Sequence, residues 1–249
     1  MPLLAEPQVF DPRQTRNPAA KKPFVRQLFT RIAPRYDWFN RLASFGLDQH
    51  WRKIVVKRAA IQPHHRVLDL CCGTGDLAIL SAQSPIHPNL LVGVDMTLAM
   101  LKQAQQKQQS RRLAIQWMQG DAEGLPFSSN RFDRITIGFS TRNLSHLEVG
   151  LREMVRVLKP KGKLLILETG YPAHPALRML YQTFLFTVAR TIGWILTGDC
   201  WPFTYLARSV RQFLTPQAMT ERLQSAGTEV EYVPLSFGLA SLYCATKTA

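Results

Sequence analysis

The sequence predicts an α/β fold: a Rossmann-like, doubly wound sheet with N-terminal helices and a helical cap insert. Three observations carry this. Short apolar runs of strand length alternate with helical stretches from Pro63 to Gly170, which gives a mostly parallel sheet covered on both faces. A glycine-rich turn follows the first of those runs, where such folds take up nucleotides. A long aromatic stretch over residues 171–210 then interrupts the alternation and reads as a cap.

In chain order, residues 1–20 are proline-rich and polar and read as a loose tail, leaving 21–249 as one domain. Phe24, Val25, Leu28, Phe29 and Ile32 recur at helical spacing until Pro34 interrupts, and a second helical run covers residues 36–42. Asp48 reads as the N-cap of a third helix, which carries Trp51, Ile54, Val55 and Ala59. Strands are expected at 66–70, 90–95, 115–118, 134–139 and 164–168, with helices at 76–83, 98–109 and 147–158. Pro160 and Gly162 predict a turn into the fifth strand. A helix over 216–226 and two β-rich runs, 229–237 and 239–247, close the chain.

The 249 residues are 46% hydrophobic, enough for a sizeable core, and carry a net charge of +14. Twelve of the 31 basic and four of the 17 acidic residues lie in the first sixty, so +8 of the +14 sits there. That bias suggests an anionic partner, nucleic acid or a membrane surface, since each basic residue near an anionic bilayer contributes about 1 kcal/mol. Residues 1–20 lack the apolar core of a signal peptide, and Gln182 and Arg190 interrupt the most apolar stretch, 180–196. The expected location is the cytoplasm, with peripheral attachment at the inner face of a membrane as an open alternative. Cys71, Cys72, Cys200 and Cys244 have no zinc spacing, and Cys71 and Cys72 read as small buried residues. No metal site is expected, because the six histidines show no ligand spacing either.

The strongest motif is VLDLCCGTGDLA, residues 67–78. Gly73 and Gly75 allow positive φ and close approach of a ligand to the backbone, with Thr74 between them. Asp95, twenty residues after Gly75 and followed by Met96, closes the next strand, where a carboxylate can take both hydroxyls of a ribose. Gly73 to Ala78 also satisfies the dinucleotide fingerprint. Against that cofactor stands Asp69: an acid before the turn would repel a diphosphate but suits the cationic amino-acid end of S-adenosyl-L-methionine. MQGDAEGLPF, residues 118–127, places Asp121 and Ala122 where a side chain and an amide could read an adenine edge. Asp69, the Gly-x-Gly turn, Asp95, the Asp-Ala loop and the strand beginning FD at 132 resemble, in that order, class I methyltransferases.

Beyond this set the sequence resembles the ubiquinone/menaquinone-biosynthesis C-methyltransferases from Phe24 onward. YDWFNRLASFGLDQHWR (36–52) is similar to that family's first signature and RVLKPKGKLLILETG (156–170) to its second. GFSTRNL (138–144) and GDCWPFTYLARSV (198–210) resemble two shorter family segments. Ser140–Thr141, Arg208 and Tyr243 depart from the pattern, Arg208 standing where an acid is usual, and they leave the acceptor open.

The resemblance implies S-adenosyl-L-methionine as cofactor and C-methylation of a prenylated quinol, demethylmenaquinol ahead of a ubiquinone precursor. Tyr36 and Ser140 join the expected cofactor residues. A phenolic hydroxyl, with a pKa near 10, must lose its proton to make a ring carbon nucleophilic, and a nearby donor stabilises the oxyanion. Arg142 and Asn143, just past the fourth strand, are the expected orienters of that oxygen; a structural clamp is the competing role for Arg142. Asp199 and Tyr205 are expected to line the acceptor pocket, with a helix cap as the alternative for Asp199. Residues 180–196 would floor a pocket for the prenyl tail, lie at a membrane interface, or simply pack as a cap. The expected partners are the quinol, the membrane surface and, as an open alternative, a second copy of the chain in a homodimer. Nucleic acid is not expected: the loop 139–143 has no prolines of the kind that base-amino methylation uses. A nucleic-acid methyltransferase and a silent cofactor-binding subunit stay as competing functions.

Overall fold

The computed structural model describes residues 17–199 and 201–248. Among them α1 (Pro18–Ile32), α2 (Tyr36–Ala43) and α3 (Leu47–Ala59) precede the alternating segment. That segment runs β1 (Arg66–Leu70), α4 (Asp76–Ala82), β2 (Leu90–Asp95), α5 (Leu98–Arg111), β3 (Gln116–Gln119), β4 (Phe132–Gly138), α6 (Leu147–Val157) and β5 (Leu158–Thr169). The cap comprises α7 (Pro175–Phe184), a π-helical turn (Leu185–Ala189), α8 (Arg190–Thr197) and α9 (Trp201–Gln212). The chain then forms α10 (Pro216–Ser225), β6 (Thr228–Leu235) and β7 (Ala240–Lys247).

The described strands form one sheet in the order β3-β2-β1-β4-β5-β7-β6, parallel from β3 to β5, with β7 antiparallel to both its neighbours. Strand order reverses between β1 and β4, so a crevice forms beyond their carboxyl ends. Side chains alternate across the sheet. Leu68, Leu70, Ile135, Ile137, Leu164 and Ile166 pack with α6 and α10 on one face. Val67, Leu165, Leu167 and Leu242 pack with α3 and α4 on the other. A third core joins α1 and α2 to the cap through Phe24, Leu28, Phe39, Leu185, Phe203 and Tyr205. Its aromatic contacts, such as Phe39–Phe203 with centroids 4.3 Å apart, fasten the cap to the N-terminal helices.

Several expectations change in detail. Residues 1–16 of the expected tail, and Cys200, lie outside the described residues. Residues 18–20 are already helical, because Asn17 accepts from the Ala19 amide and Pro18 takes the first helical position. Asp48 is not the cap of α3: Gly46 holds that place at φ 77°. Asp48 is buried at the second position of the first turn, takes a hydrogen bond from Ser44 and pairs with Arg52 at 3.4 Å. The turn at Pro160 and Gly162 is a bulge inside β5, since Phe132 pairs with Leu158 but Arg134 with Lys163.

Candidate active site

The turn after β1 is built on positive φ: Cys71 at 48°, Gly73 at 56° and Gly75 at 82°. A Cβ on Gly73 would meet only the Tyr36 ring, at 4.0 Å, so the turn faces open space there. Gly75 does not face the crevice. A Cβ on it would lie 2.5 Å from Trp117, so this glycine serves close packing of α4 against the sheet. Cys71 and Cys72 sit half-buried in the turn, and burial raises both thiols well above their ordinary value.

Asp95 ends β2 and accepts from the Gly73 amide at 2.9 Å and the Thr97 amide at 2.8 Å. It thereby ties the glycine turn to the ribose-side acid, while burial pushes its carboxyl up. Asp69 is 1% exposed and braces the same turn, taking Ala78 N on one oxygen and Thr136 Oγ1 on the other. Burial raises its pKa to about 7, which the two hydrogen bonds only partly oppose. Asp121 accepts from Lys22 of α1 at 2.6 Å. Thr74 donates to Asp37 at 2.6 Å, and Lys107 of α5 bonds Asp37 at 2.9 Å and Asp76 at 2.5 Å. α2 is thus fastened over the glycine turn.

Between these groups lie two small cavities that share Tyr36, Cys71 and Gly73. The larger, about 50 Å³, is lined by Asp95, Met96, Asp121, Ala122, Ser140 and Asn143. The smaller, about 20 Å³, is bordered by Asp69, Thr74 and Arg52. The structure therefore gathers every expected cofactor residue except Gly75 around one site. The acids Asp69, Asp95 and Asp121 beside an open glycine backbone suit a cationic nucleoside cofactor better than a diphosphate.

Beside it lies an apolar cavity of about 420 Å³, bounded by α1, α2, α7 and α9, with Asn143 and Tyr36 in the wall common to both sites. Leu28, Phe39, Leu180, Tyr181, Phe184 and Phe203 are among its lining. Tyr205 OH donates to Asn143 Oδ1 at 3.0 Å. Asn143 Nδ2 is buried and has no hydrogen-bond partner among the described residues. Burial pushes Tyr205 up to about 12 and raises Tyr181 further, so both phenols stay neutral.

Arg142 takes the clamp geometry. Its Nη1 binds Glu168 Oε1 at 2.5 Å and the Phe139 carbonyl at 2.5 Å, and it is 8% exposed. Burial, the largest single influence, would lower its pKa, but Glu168 with smaller contributions from Tyr36 and Tyr205 together outweighs it and keeps the guanidinium charged. Asp199 stands apart from the apolar cavity: its carboxylate pairs with Arg31 of α1. The pocket assignment for Asp199 is corrected on that ground.

Sequence reasoning missed Glu168, Lys107, Lys22 and Arg52. Glu168 is 1% exposed and also accepts from Thr141 Oγ1 at 2.7 Å and Thr169 N at 2.8 Å. An acid near the carboxyl end of β5, like Asp69 in β1 and Asp95 in β2, was the signal that could have found it. Nothing local marks the other three.

The sequence model of the ubiE/COQ5 methyltransferase family matches residues 16–247. The chain belongs to that family. It is 38% identical over 216 residues to the demethylmenaquinone methyltransferase of Thermus thermophilus, covering 87% of this chain and 98% of the relative. It is 35% identical over 226 residues to the ubiquinone/menaquinone biosynthesis C-methyltransferase UbiE of Ectopseudomonas mendocina, covering 90% and 88%. Among solved structures, a putative S-adenosyl-L-methionine-dependent methyltransferase from Methanococcus maripaludis matches with TM-score 0.63 at 20% identity, covering 88% and 94%. A possible histamine N-methyltransferase from Thermotoga maritima matches with TM-score 0.61 at 19% identity, covering 89% and 99%. The fold of this ubiE/COQ5 family member is thus that of the cofactor-dependent class I methyltransferases, and the chain is a methyltransferase.

Proposed function

We propose that the chain transfers a methyl group from S-adenosyl-L-methionine to a ring carbon of a prenylated quinol, with demethylmenaquinol as first acceptor and a ubiquinone precursor as the alternative. One observation carries the acceptor class: an apolar cavity of about 420 Å³ shares the Asn143 wall with the carboxylate-lined site. The names of the relatives agree with it.

When bound, the cofactor supplies an electrophilic methyl group on a positively charged sulfur. Asp95 accepts the Gly73 amide on one oxygen and the Thr97 amide on the other, and a carboxylate with about four acceptor positions keeps capacity for a ribose hydroxyl. Asp69 acts on the cationic end through its charge, both its oxygens being engaged. Asp121 becomes available to the adenine edge once Lys22 swings away. On the acceptor side, Asn143 Nδ2 donates to the ring oxygen whose negative charge activates the carbon, a donor of the kind worth about 3–4 kcal/mol in a transition state. Tyr205 fixes the direction of that amide. Arg142 is a positioning residue: held by Glu168, it fixes segment 139–143.

The tail is proposed to arrive from a membrane. No helix among the described residues is long and apolar enough to cross one. Around the apolar cavity, however, Phe45 and Leu180 are 78% and 65% exposed, and Trp38, Met179, Trp194 and Ile195 are exposed nearby on α2, α7 and α8. Such side chains are suited to a bilayer interface.

Purified protein given methyl-labelled cofactor and each reduced quinone is expected to label demethylmenaquinol. Absence of label in both quinols overturns the assignment, and label in RNA instead points to a nucleic-acid enzyme.

A further inference from the structure

Arg142 and Tyr205 also line a second, larger cavity of about 720 Å³, between α1, α6, α9 and α10, which methyl transfer leaves unused. Its charge is one-sided. Lys21, Arg142, Arg208, Arg211 and Arg222 line it, against the single carboxylate Glu148. Glu148 is taken by Arg222 at 2.8 Å, and Arg142 has its buried partner in Glu168. Lys21 and Arg211 thus face no further carboxylate in the lining.

Two donors at this site lack partners among the described residues: Arg142 Nε, on a side chain 6% exposed, and Ser145 Oγ. They stand close together with Lys21, whose Nζ donates to the carbonyls of Arg142 at 2.9 Å and Leu144 at 2.6 Å. Leaving buried donors unsatisfied is costly, and several cations focused on one cleft attract a multiply charged anion. Forked arginine donors with a lysine suit the many oxygens of a phosphate better than a single carboxylate. The remaining wall is apolar, with Leu147, Phe186 and Phe213.

We infer that this cavity binds an amphiphile headed by a phosphate or diphosphate, the anion resting on Arg142 Nε, Lys21 and Arg211 and the apolar part on Phe186 and its neighbours. The shared wall of Arg142 and Tyr205 makes the ligand a direct neighbour of the apolar cavity.

Calorimetry on the full chain with inorganic pyrophosphate and with geranyl diphosphate tests this directly. Both are expected to bind saturably, the prenyl compound at least tenfold tighter. Arg211 is exposed and lies outside the methyl-transfer site, so Arg211→Glu should weaken both at least tenfold. Arg211→Lys should recover most of the binding, and methyl transfer to a short-tailed quinol should be unchanged in both variants. Co-sedimentation with phosphatidylcholine vesicles, with and without phosphatidic acid, separates the two sources of the head group. Capture by phosphatidic acid that geranyl diphosphate competes away assigns a lipid; binding of the soluble diphosphate alone assigns a free metabolite. Absence of saturable binding of any of these phosphates, or binding that Arg211→Glu leaves intact, overturns the inference.

Discussion

The two halves of the proposed active site, a cofactor half and an acceptor half, are built on opposite plans. The cofactor half is small, charged and tied: Asp95 to the glycine turn, Asp37 to Thr74 and Lys107, Lys22 to Asp121. The acceptor half is wide and apolar, and its donor Asn143 Nδ2 is left without a partner. The first plan suits a polar ligand of constant shape, whose every group meets a fixed partner. The second suits a ligand that is mostly hydrocarbon, to which the protein needs to direct only one or two polar atoms. On the proposed reading the wall between the halves decides the reaction, and segment 139–143 forms it together with Tyr36.

Breaking that wall should have the largest effect. Glu168→Ala strands a buried guanidinium, and denaturant unfolding should show a loss of about 3–5 kcal/mol. An unchanged midpoint would mean Arg142 finds another partner. Asn143→Leu separates the two plans most sharply: turnover should fall about 100-fold, about 3 kcal/mol, while the cofactor Kd from calorimetry stays within twofold. A matching loss of cofactor affinity would place Asn143 on the cofactor side instead. Asp95→Asn should do the reverse. It weakens cofactor binding by about 1.5–3 kcal/mol through the charged hydrogen bonds lost, with little effect on quinol binding measured separately.

The smallest expected effect is a pH dependence. Asp69 is raised in the folded chain from 3.8 to about 7, so the folded state holds a proton that the unfolded state has released. Its contribution to stability is fully present below about pH 4 and is lost as pH rises through 7. A cationic ligand reverses the preference by favouring the carboxylate, so cofactor affinity should rise up to about tenfold per pH unit approaching 7 from below, and level off above. Titrations in two buffers of different ionisation heat should show proton release near pH 6 that Asp69→Asn abolishes. Equal heats in both buffers would show that Asp69 stays neutral in the complex.

The cofactor half was legible because its parts are local. Asp69, Gly73 and Thr74 lie within six residues, and a strand, a turn needing positive φ and a helix follow one another directly. The same reasoning placed Gly75 in the site, yet its freedom serves contact with Trp117 from another strand. The acceptor half was legible only as composition. The aromatic stretch 171–210 announced apolar surface, but not that α7 and α9 would close a cavity with α1 and α2. Asp199 illustrates the limit: a polar residue between helices is equally plausible as a cap or a ligand until Arg31 is brought beside it.

By itself, the sequence determined the alternating sheet, the glycine turn and the acids at the ends of β1 and β2, because apolar period and backbone sterics act between near neighbours in the chain. Tertiary structure alone decided the pairing of Arg142 with Glu168 across 26 residues, Tyr205 with Asn143 across 62 and Lys107 with Asp37 across 70. Each is a contact of long reach between polar groups that many positions could supply. Only once the packing of the three cores sets the distances does burial make one partner far cheaper than water or any rival.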